Sequence, residues 1–204
     1  MQPLYPILDA EMAQAHGHDL VACARGFAGL GLELQQLRAK TLPGGEFLAL
    51  ADRLRAVVPT LIVNDRLDIA LMAGAAGVHL GQDDLPIEAA RRLAPEGFAI
   101  GLSTHNSAQV AVAGKPDYLA YGPVFATTTK LKPDAVVGVQ ALAEARRGWP
   151  GPLVAIGGLS LETCGAAWRA GADAVAVISA LWAAAQPVDA AHQFLLAFER
   201  QKLP

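Results

Sequence analysis

The chain has 204 residues, 53% of them hydrophobic, which suffices for one substantial core, and its length predicts one domain over residues 1–204. Its 16 basic and 19 acidic residues give a net charge of -3, so no general electrostatic attraction draws it to nucleic acid or to an anionic membrane. Cys23 and Cys164 lie far apart, which excludes a Cys-x-x-Cys zinc cluster and a disulfide framework. The start lacks the pattern of a secretory signal and no later segment offers 18 uninterrupted apolar residues, so we predict a soluble cytoplasmic protein.

Apolar runs that favour β-strands recur eight times, and alanine-rich segments with helical spacing lie between them. The predicted strands are residues 5–8, 32–37, 60–63, 77–80, 99–102, 118–121, 153–156 and 174–178. The predicted helical segments include residues 47–57, 87–93, 108–113, 139–147 and 161–170. Glycines that suit a left-handed residue near the end of a helical run are Gly29, Gly74, Gly114, Gly148 and Gly171.

The regular alternation of strand and helix predicts an α/β fold with parallel strands buried on both faces. Such strands form either an open doubly wound sheet or a closed ring, and the count of eight favours a single (β/α)8 barrel of the TIM type. Barrel enzymes build their sites at the carboxyl ends of the strands, where the polar clusters of this sequence fall. The segments that lead into strands, such as residues 114–117 and 170–173, have the composition of turns.

The first polar cluster follows the second predicted strand. Alternate residues of a strand point the same way, so Gln36, Arg38 and Lys40 are expected to continue the face begun by Leu32 and Leu34. Arginine grips phosphate oxygens with two hydrogen bonds, and lysine adds a mobile charge. The alternative is a strand that runs out into a solvated charged loop.

Two acids follow the third and fourth strands. Asp65, after Asn64, and Asp84 come just past neighbouring strands, which lie about 4.8 Å apart in a sheet. Mg²⁺ binds one or two carboxylates together with waters and substrate phosphates, so we predict a magnesium site at this pair, with Asp83 as a more exposed neighbour. The alternative is that Asp65 and Asp84 each cap the helix that follows.

Single polar residues follow the fifth and sixth strands. Ser103 and Lys130 are placed to reach a substrate at the barrel mouth, although a serine after a strand is also a common turn residue. No Gly-x-Ser-x-Gly elbow surrounds Ser103. Within the fourth strand, His79 is predicted to be a core imidazole with satisfied hydrogen bonds, and His105 is a candidate for the mouth without acid or base work.

The seventh and eighth loops offer backbone amides at a predicted helix start. Gly157 and Gly158 precede one helix, and Ile178 and Ser179 open another. Barrels often hold a phosphate group there. The alternative for the two glycines is a tight turn without a ligand.

In chain order, six segments resemble the thiamine phosphate synthase family: residues 36–40, 64–68, 77–84, 101–105, 122–127 and 155–159. The resemblance spans nearly the whole chain and implies a (β/α)8 barrel. It also implies a transferase of an alkyl or aryl group other than methyl. That activity joins 4-amino-2-methyl-5-(diphosphooxymethyl)pyrimidine to a thiazole phosphate, giving thiamine phosphate and diphosphate. The loop 131–138 differs from common family versions.

The resemblance also implies roles for individual residues. Those implied for the pyrimidine diphosphate are Gln36, Arg38, Lys40, Asn64, Ser103 and Lys130, of which Arg38, Lys40, Ser103 and Lys130 are the candidate catalytic groups. Those implied for the thiazole phosphate are Thr127, Thr129, Gly158, Ile178 and Ser179. Asp65 and Asp84 would hold Mg²⁺. The pyrimidine amino group can donate electrons to a methylene cation, so we hypothesise that diphosphate leaves before the thiazole nitrogen attacks.

Two alternatives stay open. In the related thiazole tautomerases, which need no metal, a histidine typically follows the glycine of the sixth loop, where this chain has Pro123. The stretch from Gln82 to Asp84 also fits a synthase better. The other alternative is a protein that binds both thiamine precursors without joining them, because a fold does not guarantee turnover. Neither nucleic acid nor membrane is an expected partner, and the oligomeric state stays open.

Overall fold

The computed structural model describes residues 1–127 and 135–202. Within these residues, eight parallel strands close into a barrel, each beside its neighbour in sequence and the last beside the first. The strands are β1 Leu4–Asp9, β2 Leu34–Arg38, β3 Thr60–Asn64, β4 Gly77–Leu80, β5 Ala99–Thr104, β6 Tyr118–Tyr121, β7 Leu153–Ile156 and β8 Ala174–Val177. The helices are α1 Ala10–Ala15, α2 Leu20–Gly29, α3 Gly44–Arg55, α4 Leu67–Met72, α5 Ile87–Leu93, α6 Ser107–Ala111, α7 Gly138–Gly148, α8 Cys164–Arg169, α9 Ser179–Trp182 and α10 Pro187–Lys202. The predicted (β/α)8 barrel is therefore confirmed.

The start of β2 differs from the prediction. The strand begins at Leu34, while Leu32 packs in the layer between strands and helices, so Leu32 does not begin the face that carries Gln36. The reason lies at the end of α2. Gly31 has a φ of 82° there and the amide of Leu32 still donates to the Phe27 carbonyl at 3.0 Å, which keeps Leu32 in the helix-terminating turn.

The prediction of left-handed glycines near helix ends is confirmed at three positions and wrong at two. Gly74, Gly114 and Gly171 have φ values of 62°, 71° and 99°. Gly29 and Gly148 are instead the last residues of α2 and α7. Among the described residues, no helix is both long and apolar enough to cross a membrane.

Side chains of the strands alternate between two apolar layers. The larger layer lies between the strands and the surrounding helices. The smaller one fills the barrel interior and consists of Tyr5, Ile7, Ile62, Tyr118, Ala120, Val154, Ala174 and Ala176. Alanines on three of its positions leave room for two tyrosines, whose hydroxyl groups bring polar atoms into the centre of the barrel.

The amino-terminal end of the barrel has the turn chemistry that its sequence predicts. Asp117 precedes β6 and Asp173 precedes β8. One carboxylate oxygen of each accepts a backbone N–H from a neighbouring strand, at 2.6 and 2.8 Å. The same oxygen pairs with a helix arginine, Arg91 at 2.7 Å and Arg146 at 2.9 Å. Each aspartate thus fastens a helix to the sheet at the end away from the polar clusters.

Candidate active site

Arg38 is held at the carboxyl end of β2 by an acid from β1. Asp9 ends β1, is 1% exposed, and lies opposite Arg38 in the strand register. One of its carboxylate oxygens caps α1 by accepting from the Met12 amide at 2.9 Å, and the other pairs with Arg38 Nη1 at 2.5 Å. Sequence reasoning missed Asp9, because an acid between a first strand and a first helix resembles an ordinary helix cap.

Lys40 lies beyond β2, which ends at Arg38, so the pairing of that strand does not hold it, and the shared face with Gln36 stays a prediction. Its loop is tied instead to Glu11, another residue that sequence reasoning missed. One Glu11 oxygen accepts from the Lys40 amide at 2.7 Å, the Thr41 amide at 2.8 Å and the Thr41 hydroxyl at 3.0 Å. Burial raises the pKa of Glu11, but these hydrogen bonds outweigh burial and lower it. The Lys40 ammonium then contacts the Asp65 carboxylate.

The two predicted metal ligands lie together. Asp65 follows β3 in the left-handed region, with a φ of 62°, and its amide donates to the His79 carbonyl at 2.8 Å. One Asp84 oxygen accepts from the Gly81 amide at 2.7 Å. The pKa of Asp84 is raised, mainly by burial and further by the charge of Asp65 and a hydrogen bond with it. The hydrogen bond from the Gly81 amide and the charge of Lys40 oppose this shift. A raised carboxyl pKa beside a second carboxyl is the electrostatic condition that a bound cation relieves.

The alternative assignment of these acids as helix caps is wrong. The N-cap residues of α4 and α5 are Arg66 and Pro86, and neither helix has a side-chain cap. Asp83 is exposed and Asp84 half-buried, as expected. No cluster of three or more histidine, cysteine or acidic residues suited to a metal occurs within residues 1–127 and 135–202. A pair of carboxylates such as Asp65 and Asp84 is a set of donors that suits Mg²⁺ together with waters and substrate phosphates.

A chain of hydrogen bonds crosses the barrel interior under these acids. Gln36 donates from Nε2 to the Tyr5 hydroxyl at 3.2 Å, and this hydroxyl lies 3.0 Å from that of Tyr118. The Tyr118 hydroxyl lies 3.0 Å from His79 Nδ1, and His79 Nε2 lies 2.9 Å from Ser103 Oγ. The chain connects two residues predicted to hold the pyrimidine substrate, Gln36 and Ser103.

Burial controls the ionisation of this chain. It lowers the pKa of His79 to about 4, with Asp65 opposing, and it raises the pKa of Tyr5 and of Tyr118. All three side chains are therefore neutral at pH 7. The prediction that His79 is a satisfied core imidazole is confirmed, since both ring nitrogens have partners.

The loops after β6 and β7 interlock. Val124 and Phe125 donate their amides to the carbonyls of Ile156 and Gly157 at 2.9 and 3.0 Å. Gly157 and Gly158 have φ values of 93° and 63°, and a Cβ on Gly158 would overlap the Ala126 carbonyl. Both glycines therefore form a tight turn, and the contact of this turn with phosphate stays a prediction.

The remaining predicted residues also follow strands. Asn64 ends β3, Ile178 is the N-cap of α9, and Ser179 begins that helix. His105 is half-buried and donates from Nδ1 to the Gly122 carbonyl at 2.6 Å. Thr127 is the last residue described before the gap. Thr129 and Lys130 lie outside the described residues.

Fold and site together define a class: a (β/α)8 barrel protein with bases and an acid pair at the carboxyl ends of its strands. The family model for thiamine monophosphate synthase matches residues 4–181. The chain belongs to this family, which confirms the resemblance predicted from its residues.

Named relatives agree with this assignment. The chain is 44% identical to the thiamine-phosphate synthase of Anaeromyxobacter dehalogenans over 188 residues, covering 90% of this chain and 85% of that protein. It is 42% identical to that of Koribacter versatilis over 199 residues, covering 94% and 93%. The structure of a thiamine phosphate pyrophosphorylase from Pyrococcus furiosus superposes with a TM-score of 0.87 at 30% identity, covering 98% and 96%.

Proposed function

We propose that this chain is a thiamine phosphate synthase that joins 4-amino-2-methyl-5-(diphosphooxymethyl)pyrimidine to a thiazole phosphate and releases diphosphate. The observation that carries the proposal is the convergence of Arg38 and Lys40 with Asp65 and Asp84 at one end of the barrel. Relatives that are 42–44% identical over nearly the whole chain bear the name of that activity.

The proposal includes a magnesium ion held by Asp65 and Asp84. The closeness of these carboxylates and the raised pKa of Asp84 support it. When bound, the ion would supply positive charge to the diphosphate. Lys40, in contact with Asp65, would then have the diphosphate as a second anionic partner.

The proposed pyrimidine diphosphate site combines Gln36, Arg38, Lys40, Asn64, Ser103 and Lys130. Its bases stabilise the charge of the departing diphosphate, and Asp9 supports this role by fixing the Arg38 guanidinium. A pair of unit charges about 4 Å apart is worth roughly 4 kcal/mol at an effective dielectric near 20, whereas a helix end supplies at most about 2 kcal/mol. Charged groups therefore dominate the rate.

The proposed thiazole phosphate site combines Thr127, Thr129, Gly158, Ile178 and Ser179. Its hydroxyl and amide groups anchor the phosphate rather than drive the reaction. The positions of Gly158 after β7 and of Ser179 after β8 support this, because both follow strands at the end of the barrel that carries the acid pair.

In the proposed reaction the amino group of the pyrimidine donates electrons to the methylene carbon, the carbon–oxygen bond to diphosphate breaks, and the thiazole nitrogen forms the new bond. No strong base is needed. The pKa of His79, lowered by burial to about 4, makes its imidazole a weak base, and both ring nitrogens already have hydroxyl partners, which supports a reaction without a strong base.

The deciding experiment mixes the purified chain with both substrates and Mg²⁺ and measures both products. Diphosphate and thiamine phosphate appearing in equal amounts support the synthase. Isomerisation of the thiazole without metal would identify a tautomerase, a reading that Pro123 already disfavours. Binding of both ligands without product would identify a binder.

The cytoplasmic location stays a prediction, to be checked by fractionating cells that produce the chain.

A further inference from the structure

The hydrogen-bond chain in the barrel interior begins and ends at residues of the proposed pyrimidine site, Gln36 and Ser103. Three side chains between them, Tyr5, Tyr118 and His79, have no assigned role. We propose that these three are positioning residues that fix the direction of every hydrogen in the chain, so that Ser103 offers its hydroxyl proton to an acceptor atom of the pyrimidine substrate. The inference rests on the proposed function.

The direction of the chain is set at its first link. The Gln36 amide nitrogen can only donate, so the Tyr5 hydroxyl accepts from it at 3.2 Å. A phenol has one proton, and within residues 1–127 and 135–202 the Tyr118 hydroxyl, at 3.0 Å, is the only other partner of the buried Tyr5 hydroxyl, so in the proposed arrangement Tyr5 donates to Tyr118. Tyr118, which now accepts from Tyr5, gives its own proton to His79 Nδ1 at 3.0 Å.

The far end of the chain follows from proton counting. Because Nδ1 of His79 accepts, the neutral ring carries its proton on Nε2 and donates to Ser103 Oγ at 2.9 Å. Ser103 therefore keeps its own proton for a second partner. In the reverse direction Ser103 would donate into His79 and present only lone pairs, which suit a donor on the substrate rather than an acceptor.

Packing holds this arrangement in place. Tyr5, Tyr118 and His79 are 1%, 4% and 5% exposed, so a broken link would leave a buried polar atom unpaired. The His79 and Tyr118 rings stack with centroids 5.4 Å apart. Gly101 makes this possible, because a Cβ there would overlap the Tyr118 ring and lie 2.5 Å from His79 Nδ1.

The first test is nitrogen NMR of the full-length protein without ligand, labelled with 15N-histidine. The His79 signal, identified by its loss in His79→Gln and by its shift in Tyr118→Phe, should show one neutral form protonated on Nε2. Protonation on Nδ1, or an even mixture of both forms, would overturn the proposal. This measurement requires no turnover, so its failure is distinguishable from failure of the proposed activity, which appears as wild-type protein that makes no thiamine phosphate.

The second test is steady-state kinetics with each substrate varied. Tyr118→Phe should raise KM for the pyrimidine substrate about fivefold to tenfold, the usual effect of one lost hydrogen bond, and leave KM for the thiazole substrate nearly unchanged. His79→Gln, which places an amide nitrogen near the position of Nε2, should retain more affinity for the pyrimidine than His79→Phe.

The matched control for Tyr118→Phe is Tyr121→Phe. Tyr121 lies on the same strand and is 1% exposed, but it packs in the outer apolar layer. This variant should leave both KM values unchanged. Equal losses for both substrates in Tyr118→Phe, or the same loss in Tyr121→Phe, would show a merely structural role and overturn the proposal.

Discussion

Among single residues, Asp84 shows a conflict between folding and binding. Burial and the neighbouring Asp65 raise its pKa, so the folded protein holds this proton more tightly than the unfolded chain does. Protonated Asp84 therefore favours the folded state, and this contribution to stability is lost as pH rises through the raised pKa. We expect Asp84→Asn to have a higher thermal midpoint than the wild type at pH 7 without metal. The difference should shrink below the ordinary aspartate pKa of 3.8, as followed by circular dichroism.

The same change should impair the proposed metal site. With one carboxylate of the pair removed, Asp84→Asn should need at least about tenfold more Mg²⁺ for half-maximal thiamine phosphate formation. Asp83→Asn is the matched control, since Asp83 is the exposed neighbour and should keep the wild-type requirement. An equal Mg²⁺ requirement in the two variants would exclude Asp84 as a metal ligand.

The role of Lys130, which lies outside the described residues, is predicted from its position after the sixth strand and from the family resemblance. Lys130→Ala removes a unit charge proposed to lie beside the departing diphosphate, so turnover should fall at least about tenfold. The exposed Lys115, in the turn before β6, provides the control variant Lys115→Ala, which should turn over normally. Unchanged turnover in Lys130→Ala, with folding intact, would remove Lys130 from the mechanism.

Gly101 is the residue whose missing side chain the barrel interior requires. A Cβ there would overlap the Tyr118 ring, so Gly101→Ala should lower the free energy of unfolding by about 1–3 kcal/mol, measured in urea. Gly29 is a suitable comparison, because a Cβ on it meets nothing within 4 Å and it ends α2. Gly29→Ala should be neutral or stabilising. Equal effects of the two changes would contradict the packing argument.

At the scale of helices and strands, the two ends of the barrel serve different purposes. Asp173 binds the backbone of β7 and Arg146 at the amino-terminal end. Asp173→Ala should therefore lower the free energy of unfolding by about 1–2 kcal/mol, because the Leu153 amide loses its acceptor, while KM for both substrates stays the same. Chemical denaturation and kinetics on one preparation measure both quantities. Asp52→Ala, an exposed position on α3, should change neither.

Element boundaries also show what a sequence can predict. All eight strands were recognisable because apolar runs buried on both faces differ clearly from the helices between them. The beginning of β2 was not, because Leu32 is equally apolar whether it extends a strand or closes the turn after α2. Local hydrophobicity does not distinguish these two environments.

In the whole molecule, the order of the strands explains why the acid pair was predictable, whereas the acids that support Arg38 and the Lys40 loop were not. Asp65 and Asp84 follow adjacent strands, so sequence order alone makes them neighbours. Asp9 and Glu11 support Arg38 and the Lys40 loop across the β1–β2 boundary, yet alone they resemble ordinary helix-start acids. The Tyr5–Tyr118 contact joins β1 to β6 through the barrel centre, and no residue spacing in the sequence predicts it.

The interlocked loops after β6 and β7 limit how this scaffold can be re-engineered. The amides of Val124 and Phe125 donate hydrogen bonds to carbonyls at and just beyond the end of β7. At Gly158 only glycine fits, because a Cβ there would overlap the Ala126 carbonyl. Replacing one of these loops with a foreign segment would leave backbone amide or carbonyl groups of the other loop without their hydrogen-bond partners. Libraries that aim at new substrates should therefore vary the two as one cassette and leave the loops after β3 and β4 to be diversified separately.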